Sequence, residues 1–414
     1  MLSYAEHGKF RAETQVAMHN RKACEHAFTG RSLSGASPTM AANEWTTGLA
    51  AAQWAAYARR RSSVRVIMNF ASDNAAPVAE PILDAILRAN AGHALAYGND
   101  DWTRAVERRL SEIFEREVAA FLVPTGTAAN ALALAHVAPP WGVVFCHADS
   151  HIATDECGAP EFFGGGFKLV GLPGEAGKIA PGTFATALAG YGGHSPHQMV
   201  AAALSITQVT EAGTIYRVDE VAALSEIAHS RGLAVHMDGA RFANALVRLN
   251  AAPAQMTWQA GVDALSFGAT KGGAMAAEAV VIFDPARAAF FGERRKRGGQ
   301  LLSKHRFVAA QFAAFLEGGL WLDLARHANA MASDLGEKLT ATGLPPLFPV
   351  DANLVFVALP RALDAKLKAA GANYYARPSE TVHLPPDHVM ARLVASFATS
   401  QEDVERFVNL CKNF

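Results

Sequence analysis

Two apolar runs in the middle of the 414-residue chain lead into groups that can do chemistry. Residues 233–237 run into Asp238, and residues 262–267 are followed shortly by Lys271. Between them Ala, Leu and Val recur at helical spacing, so the stretch reads strand, helix, strand. A carboxylate then stands at one strand tip and an amine just past the next. An amine can condense with an aldehyde, and a carboxylate can pair with a protonated ring nitrogen. Both residues also have plain structural readings, Asp238 as an N-cap and Lys271 as a surface lysine. The setting of Lys271, Ser266-Phe267-Gly268-Ala269-Thr270-Lys271-Gly272-Gly273, favours chemistry, because small residues let a flat ring approach the backbone.

A third feature lies upstream, at Pro124-Thr125-Gly126-Thr127-Ala128-Ala129-Asn130, between a strand-like and a helix-like run. Gly126 permits a tight turn, the helix N-terminus offers free N–H groups, and Thr125 and Thr127 add hydroxyls, which together suit a phosphate. The segment lacks the GK[ST] ending of a Walker A loop, and a merely Thr-capped helix would look the same. A fourth feature is CHADSHIATDECGAPEFF, where His147, His151 and Asp155 recur every four residues. On a helix they would share a face and two could bind a metal, but no third ligand is evident and no metal is assigned. A single imidazole laid on a planar cofactor needs only His151, which opens the helical stretch. Amine, acid, phosphate cradle and stacking ring are together the needs of a pyridoxal phosphate site.

These groups must be positioned by the elements around them. Strand-like runs at 119–123, 142–146, 168–172, 201–206, 233–237, 262–267 and 278–283 are mostly separated by helical stretches, including 78–90, 102–116 and 127–137. That alternation predicts an α/β domain at 68–310, with a mainly parallel seven-stranded sheet covered on both faces. A helical region at 300–342 leads to strand-like runs at 353–358, 380–384 and 391–397 and a helix from 402, predicting a smaller C-terminal α+β domain at 311–414. Residues 1–67 have no clear apolar periodicity and end in a basic run, Arg59-Arg60-Arg61 and Arg65, with one Ala-rich helix expected at 48–60. They read as a disordered N-terminal extension: a start assigned upstream of Met68, a targeting leader, or a true arm.

A formal net charge of -1 gives no reason to expect nucleic acid or an anionic membrane as partner. Cys24, Cys146, Cys157 and Cys411 are scattered, without metal-type pairs or a disulfide framework, so a reducing, cytoplasmic setting is expected.

Taken together, HMDGARFANA, SFGATKGGAMAAEAVVIFDP, HIATDECGAPEFF and PTGTAANALALA resemble the low-specificity L-threonine aldolases. These belong to the threonine aldolase/β-eliminating lyase family of pyridoxal phosphate enzymes, fold type I. The resemblance runs from about Met68 to the C-terminus. It implies cleavage of L-threonine, L-allo-threonine or a related β-hydroxy-α-amino acid to glycine and an aldehyde. A phenylserine aldolase, another β-lyase of this fold or a non-catalytic homologue are the alternatives. It implies that Lys271 carries the cofactor, Asp238 holds its pyridinium, Arg241 lies near its phenolic oxygen, Gly126 and Thr127 bind its phosphate, and His151 stacks on its ring. It further implies that Ser72 and Arg392 hold the substrate carboxylate. Tyr97 and Lys296 would reach the phosphate of a neighbouring subunit in a homodimer or homotetramer. Some family members carry a second histidine after the strand corresponding to 201–206; this chain has Gln208-Val209-Thr210-Glu211 there, which leaves the catalytic base open between His151 acting through a water and a water alone.

Overall fold

The computed structural model describes residues 68–193, 196–377 and 382–412, so the expected extension at 1–67 and its helix lie outside the described residues. Among the described residues twelve strands are found, numbered in chain order. They are β1 (Met68–Asn69), β2 (Ala119–Val123), β3 (Gly142–His147), β4 (Lys168–Leu172), β5 (Val200–Thr207), β6 (Ala234–Gly239), β7 (Ala264–Gly268), β8 (Glu278–Ile282), β9 (Leu354–Pro360), β10 (Ala372–Asn373), β11 (Tyr375–Arg377) and β12 (His388–Val394). Seven of them form one sheet in the order β2-β8-β7-β6-β5-β3-β4. All neighbours are parallel except β8, which runs antiparallel to both β2 and β7. The expected α/β architecture is therefore found, each strand within two residues of its predicted place. β3, β6, β7 and β8 are buried at every position, as strands covered on both faces must be.

The sheet brings the chemical groups to one edge. Register pairs Val123 and Gly268 with opposite sides of Glu278, and Thr207 with Asp238. The C-terminal ends of β2, β7, β6 and β5 thus meet at a single rim, where open α/β sheets place their ligands. Gly268 makes the approach possible: a Cβ there would lie 2.7 Å from the Ala240 carbonyl oxygen and 2.8 Å from its Cα. One residue earlier, Phe267 is fully buried against Trp321, Phe312 and Phe242, at centroid distances of 5.3, 5.4 and 5.5 Å. Phe267→Ala should cost about 3–5 kcal/mol, read as a lowered midpoint in urea unfolding, because this crowded site cannot collapse onto the void.

Apolar residues of the sheet and its helices pack with helix Arg306–Leu316 and the start of helix Leu320–Ala341, as far as Ala325, in one core, while others, such as Leu134, Val144, Ala203 and Ala234, form a separate cluster. A second core begins at Ala332 on that same long helix and takes in Met68, Phe70, β9, β12 and helix Gln401–Lys412. Helix Leu320–Ala341 thus contributes to both cores, and the first described residues pack with the C-terminal part: β1 pairs with β10. Of the strand expected at 380–384, residues 380 and 381 lie outside the described residues and 382–384 is irregular; a strand is found at Tyr375–Arg377, paired with β12.

Candidate active site

Asp238 is the penultimate residue of β6 and is buried. Its Oδ1 accepts from the Ala240 N–H at 3.0 Å and its Oδ2 accepts from Asn130 Nδ2 at 2.9 Å. Two residues before it, His236 sits between the Ser205 hydroxyl at 2.9 Å and the Ser266 hydroxyl at 3.0 Å, linking β6 to β5 and β7. Burial pushes this imidazole down to about 4, so it is a neutral tie between strands. The backbone carrying the acid is held from both sides.

Lys271 lies in the turn 269–274 after β7, part-exposed at the rim. The turn is closed by Gly272 N–H to the Ala269 carbonyl at 3.0 Å and Ala274 N–H to the same carbonyl at 3.0 Å. Glu278 Oε2 accepts from the Ala269 N–H at 3.1 Å, fixing the turn to β8. Burial pushes the Glu278 carboxyl up to about 7, against the opposing pull of Thr270, Lys271 and the Ala269 N–H. A carboxyl raised in the folded state holds its proton more tightly folded than unfolded. Its contribution is therefore complete below its ordinary 4.5 and lost as pH rises through about 7. Glu278→Gln keeps an acceptor for the Ala269 N–H. Relative to wild type it should gain stability between about pH 5 and about pH 8, by about 3 kcal/mol at most, measured by urea unfolding at both pH values.

Thr125 is the N-cap of helix Gly126–Val137, its hydroxyl accepting from the Ala128 N–H at 3.2 Å. The helix is capped, as the plainer reading of the motif expects, and its first N–H groups, at Gly126 and Thr127, remain outside the ladder. A Cβ on Gly126 would meet nothing within 4 Å, so open space adjoins these donors.

His151 opens the one-turn helix His151–Thr154, whereas His147 ends β3. The expected shared helical face of His147, His151 and Asp155 does not exist, since a strand end and a turn separate the two histidines. His147 Nδ1 instead accepts from the Asp149 N–H at 3.1 Å. His151 Nδ1 lies 2.9 Å from Glu156 Oε1, and the same oxygen accepts from Asn130 Nδ2 at 2.8 Å. The bond to Glu156 raises the imidazole's affinity for a proton, against burial. Burial raises the Glu156 carboxyl, against its bonds to His151 and Asn130.

Arg241 and Asp73 form a buried two-point ion pair, Nε to Oδ2 at 2.7 Å and Nη2 to Oδ1 at 3.0 Å. Asn353 Nδ2 donates to Asp73 Oδ2 at 3.1 Å. Burial opposes the Asp73 charge, but Arg241 and Lys271 outweigh it and hold the carboxyl below its ordinary range. The pair keeps Arg241 at the rim with Nη1 unused by any hydrogen bond among the described residues. Ser72, next to Asp73, accepts from the Asn74 N–H at 3.1 Å. Arg392, on β12, donates from Nη2 to the Ala71 carbonyl at 3.4 Å and lies over the Tyr375 ring at 5.3 Å. The 71–73 segment thus gathers Ser72, Arg392 and Arg241.

Tyr97 and Lys296 also meet, Lys296 Nζ standing 4.4 Å from the centre of the Tyr97 ring. Tyr97 has φ 57°, an uncommon value for a side chain of this size, and is held by its N–H to the Ser303 carbonyl at 3.0 Å.

Asp73, Asn130, Glu156, Glu278 and Asn353 are the site residues that the sequence reading missed. Asn130 and Glu278 did leave a signal, each a lone polar residue within an apolar run. A planar phosphorylated cofactor fits the donor set. It would meet an amine and an acid at adjacent strand ends, a helix N-terminus facing open space, and a guanidinium neutralised by its own carboxylate.

The sequence profile of the beta-eliminating lyases matches residues 69–362. The chain is 42% identical over 308 residues to a low specificity L-threonine aldolase of Pseudomonas aeruginosa, covering 74% of this chain and 88% of that protein. A solved threonine aldolase structure from Leishmania major aligns with a TM-score of 0.78 at 29% identity, over 83% of this chain and 98% of that one. Serine palmitoyltransferase of Sphingomonas wittichii, 16% identical, shares the fold at a TM-score of 0.63 over 90% of this chain and 98% of that one.

Proposed function

The chain belongs to the beta-eliminating lyase family, and from that premise we propose that it is a pyridoxal-phosphate-dependent aldehyde-lyase. It cleaves L-threonine and related β-hydroxy-α-amino acids to glycine and an aldehyde. Its fold is that of the fold type I enzymes. The observation that carries the reading is the convergence of Asp238, Lys271 and the Gly126 helix N-terminus on one sheet edge, in a chain this similar to a threonine aldolase.

Lys271 would hold the cofactor's aldehyde carbon, Asp238 its ring nitrogen, Arg241 the region of its ring oxygen, and His151 its face. Gly126 and Thr127 would hold its phosphate. When bound, the cofactor supplies the sink for the electron pair released as the Cα–Cβ bond breaks. Arg392 and Ser72 would clamp the substrate carboxylate, a task suited to the planar guanidinium fork. With the carboxylate fixed, the remaining bonds of Cα are oriented, and the bond to be broken is chosen by placement. The β-hydroxyl proton passes to a base at the rim, the aldehyde leaves, and a proton returned to Cα gives glycine.

The chain is read as a cytoplasmic homo-oligomer, a dimer or tetramer with sites at the dimer interface. Supporting this are the free thiols of the three cysteines among the described residues, and the exposed apolar Phe290 and Leu302, which flank Lys296 in sequence, with Leu95 beside Tyr97. Tyr97 and Lys296 would reach a partner's phosphate; sedimentation as a monomer would contradict this.

The function is tested by offering L-threonine, L-allo-threonine, β-phenylserine and D-threonine. Glycine should form from the L-substrates and not from D-threonine, in which the clamp would direct a different bond. Glycine from D-threonine alone would overturn the reading.

A further inference from the structure

His151 does not stand alone. A continuous buried chain of side chains joins it to Asp238. His151 Nδ1 to Glu156 Oε1 is 2.9 Å, Glu156 Oε1 to Asn130 Nδ2 is 2.8 Å, and Asn130 Nδ2 to Asp238 Oδ2 is 2.9 Å. The Glu156 side chain has no exposed surface, while that of His151 keeps 32% of its own. Asn130 spends both N–H bonds of one amide on two carboxylates, so their spacing is set by a single nitrogen. Glu156 is acceptor-only when ionised, so the hydrogen between it and His151 belongs to the imidazole. That fixes the tautomer: Nδ1 carries the proton, and Nε2 keeps its lone pair. Nδ1 makes the contact with the buried Glu156, and Nε2 has no hydrogen bond among the described residues. Metal- and proton-handling histidines are oriented by carboxylates in this way.

Resting on the aldolase reading above, we propose that Glu156 is a positioning residue that makes His151 Nε2 the base for the substrate's β-hydroxyl proton, and that Asn130 ties this pair to Asp238. The bookkeeping of the step is closed: the hydroxyl proton goes to Nε2, the electrons of the O–H bond become the aldehyde C=O, and those of the Cα–Cβ bond pass to Cα and its cofactor sink. No oxidant or metal is consumed. The charge on His151 responds to every group around it. Glu156 and, less strongly, Asp238 and Glu211 favour the imidazolium, while burial and Lys271 oppose it. The two acids that His151 answers to through hydrogen bonds, Glu156 directly and Asp238 through Asn130, are the ones the proposed chain joins.

The test uses the holoenzyme and Glu156→Gln, which preserves size and one acceptor but removes the charge. With L-threonine, kcat/KM should fall about 10–100-fold, and the acid limb of its pH profile should move to lower pH. In a His151→Asn background the same change should cost nothing further, because Glu156 acts only through the imidazole. Independently of activity, ¹⁵N-histidine NMR should show the His151 signal, identified by its loss in His151→Asn, as the Nδ1–H tautomer. Its titration should shift downward in Glu156→Gln. An unchanged pH limb, a loss that adds to that of His151→Asn, or a His151 titration indifferent to Glu156 would overturn the proposal. A wild type that releases no glycine would overturn the aldolase reading instead, while the NMR titration would still decide whether Glu156 sets the state of His151.

Discussion

Lys271→Ala is expected to lower turnover of L-threonine by at least ~10³-fold while leaving the fold intact. The lysine sits in a turn whose geometry depends on backbone bonds from Gly272 and Ala274 to the Ala269 carbonyl, not on its side chain. Alanine can adopt that turn, so the loss isolates the amine. Purified wild type should absorb in the visible from covalently held pyridoxal phosphate, and Lys271→Ala should not. Lys271→Arg adds a control. It keeps the positive charge that Asp73 and Glu278 face, but a guanidinium cannot condense with an aldehyde. Charge alone should therefore not rescue the rate. A Lys271→Ala enzyme with a tenth of wild-type turnover would exclude the assigned role.

Asp238→Asn is expected to cost about 10²–10³-fold in kcat, with a lowered unfolding midpoint because its amide nitrogen must face one of the two N–H donors that Asp238 satisfies. The substitution is nearly isosteric. Its carbonyl oxygen can still accept from the Ala240 N–H or from Asn130, which now bond Oδ1 and Oδ2 separately. What disappears is the negative charge opposite a protonated ring nitrogen, whose value is large in a buried, low-dielectric site. The effect should appear in kcat with a smaller change in KM, because the charge matters most when electrons arrive at the ring. Activity within threefold of wild type would show that Asp238 serves only as a backbone anchor beneath the rim.

The features legible in the sequence were those carried by local pattern. Asp238 stands at the end of a buried strand, Lys271 follows one, and Gly126 opens a helix after one, so apolar runs and small residues marked all three. The partners that hold them are distant along the chain. Asn130 reaches Asp238 across 108 residues, Asp73 reaches Arg241 across 168, and Asn353 reaches Asp73 across 280. Spacing within a segment carries no information about such pairs; only the sheet order brings them together. Glu156 was overlooked for a different reason. The four-residue recurrence of His147, His151 and Asp155 presumes one helix, but His147 belongs to β3 and the helix spans only His151–Thr154. With the helix ended, the chain turns and presents Glu156 rather than Asp155 to His151. The change of core within helix Leu320–Ala341 was hidden similarly, because one continuous apolar helix serves both packing clusters.

The open question at the strand end 208–211 also gains a physical setting. No imidazole stands there, but Glu211 does, and its charge is felt by both His151 and Arg241. The base proposed for this site is the ring already present at 151, held by a carboxylate one residue beyond the four-residue spacing that pointed to Asp155.

The central claim, that this rim breaks the Cα–Cβ bond of threonine, is tested most directly by product analysis of purified enzyme loaded with pyridoxal phosphate. Glycine and acetaldehyde in equal amounts, without ammonia, is the result expected. Ammonia with a keto acid in place of glycine would mean that the same residues serve elimination, and would contradict it.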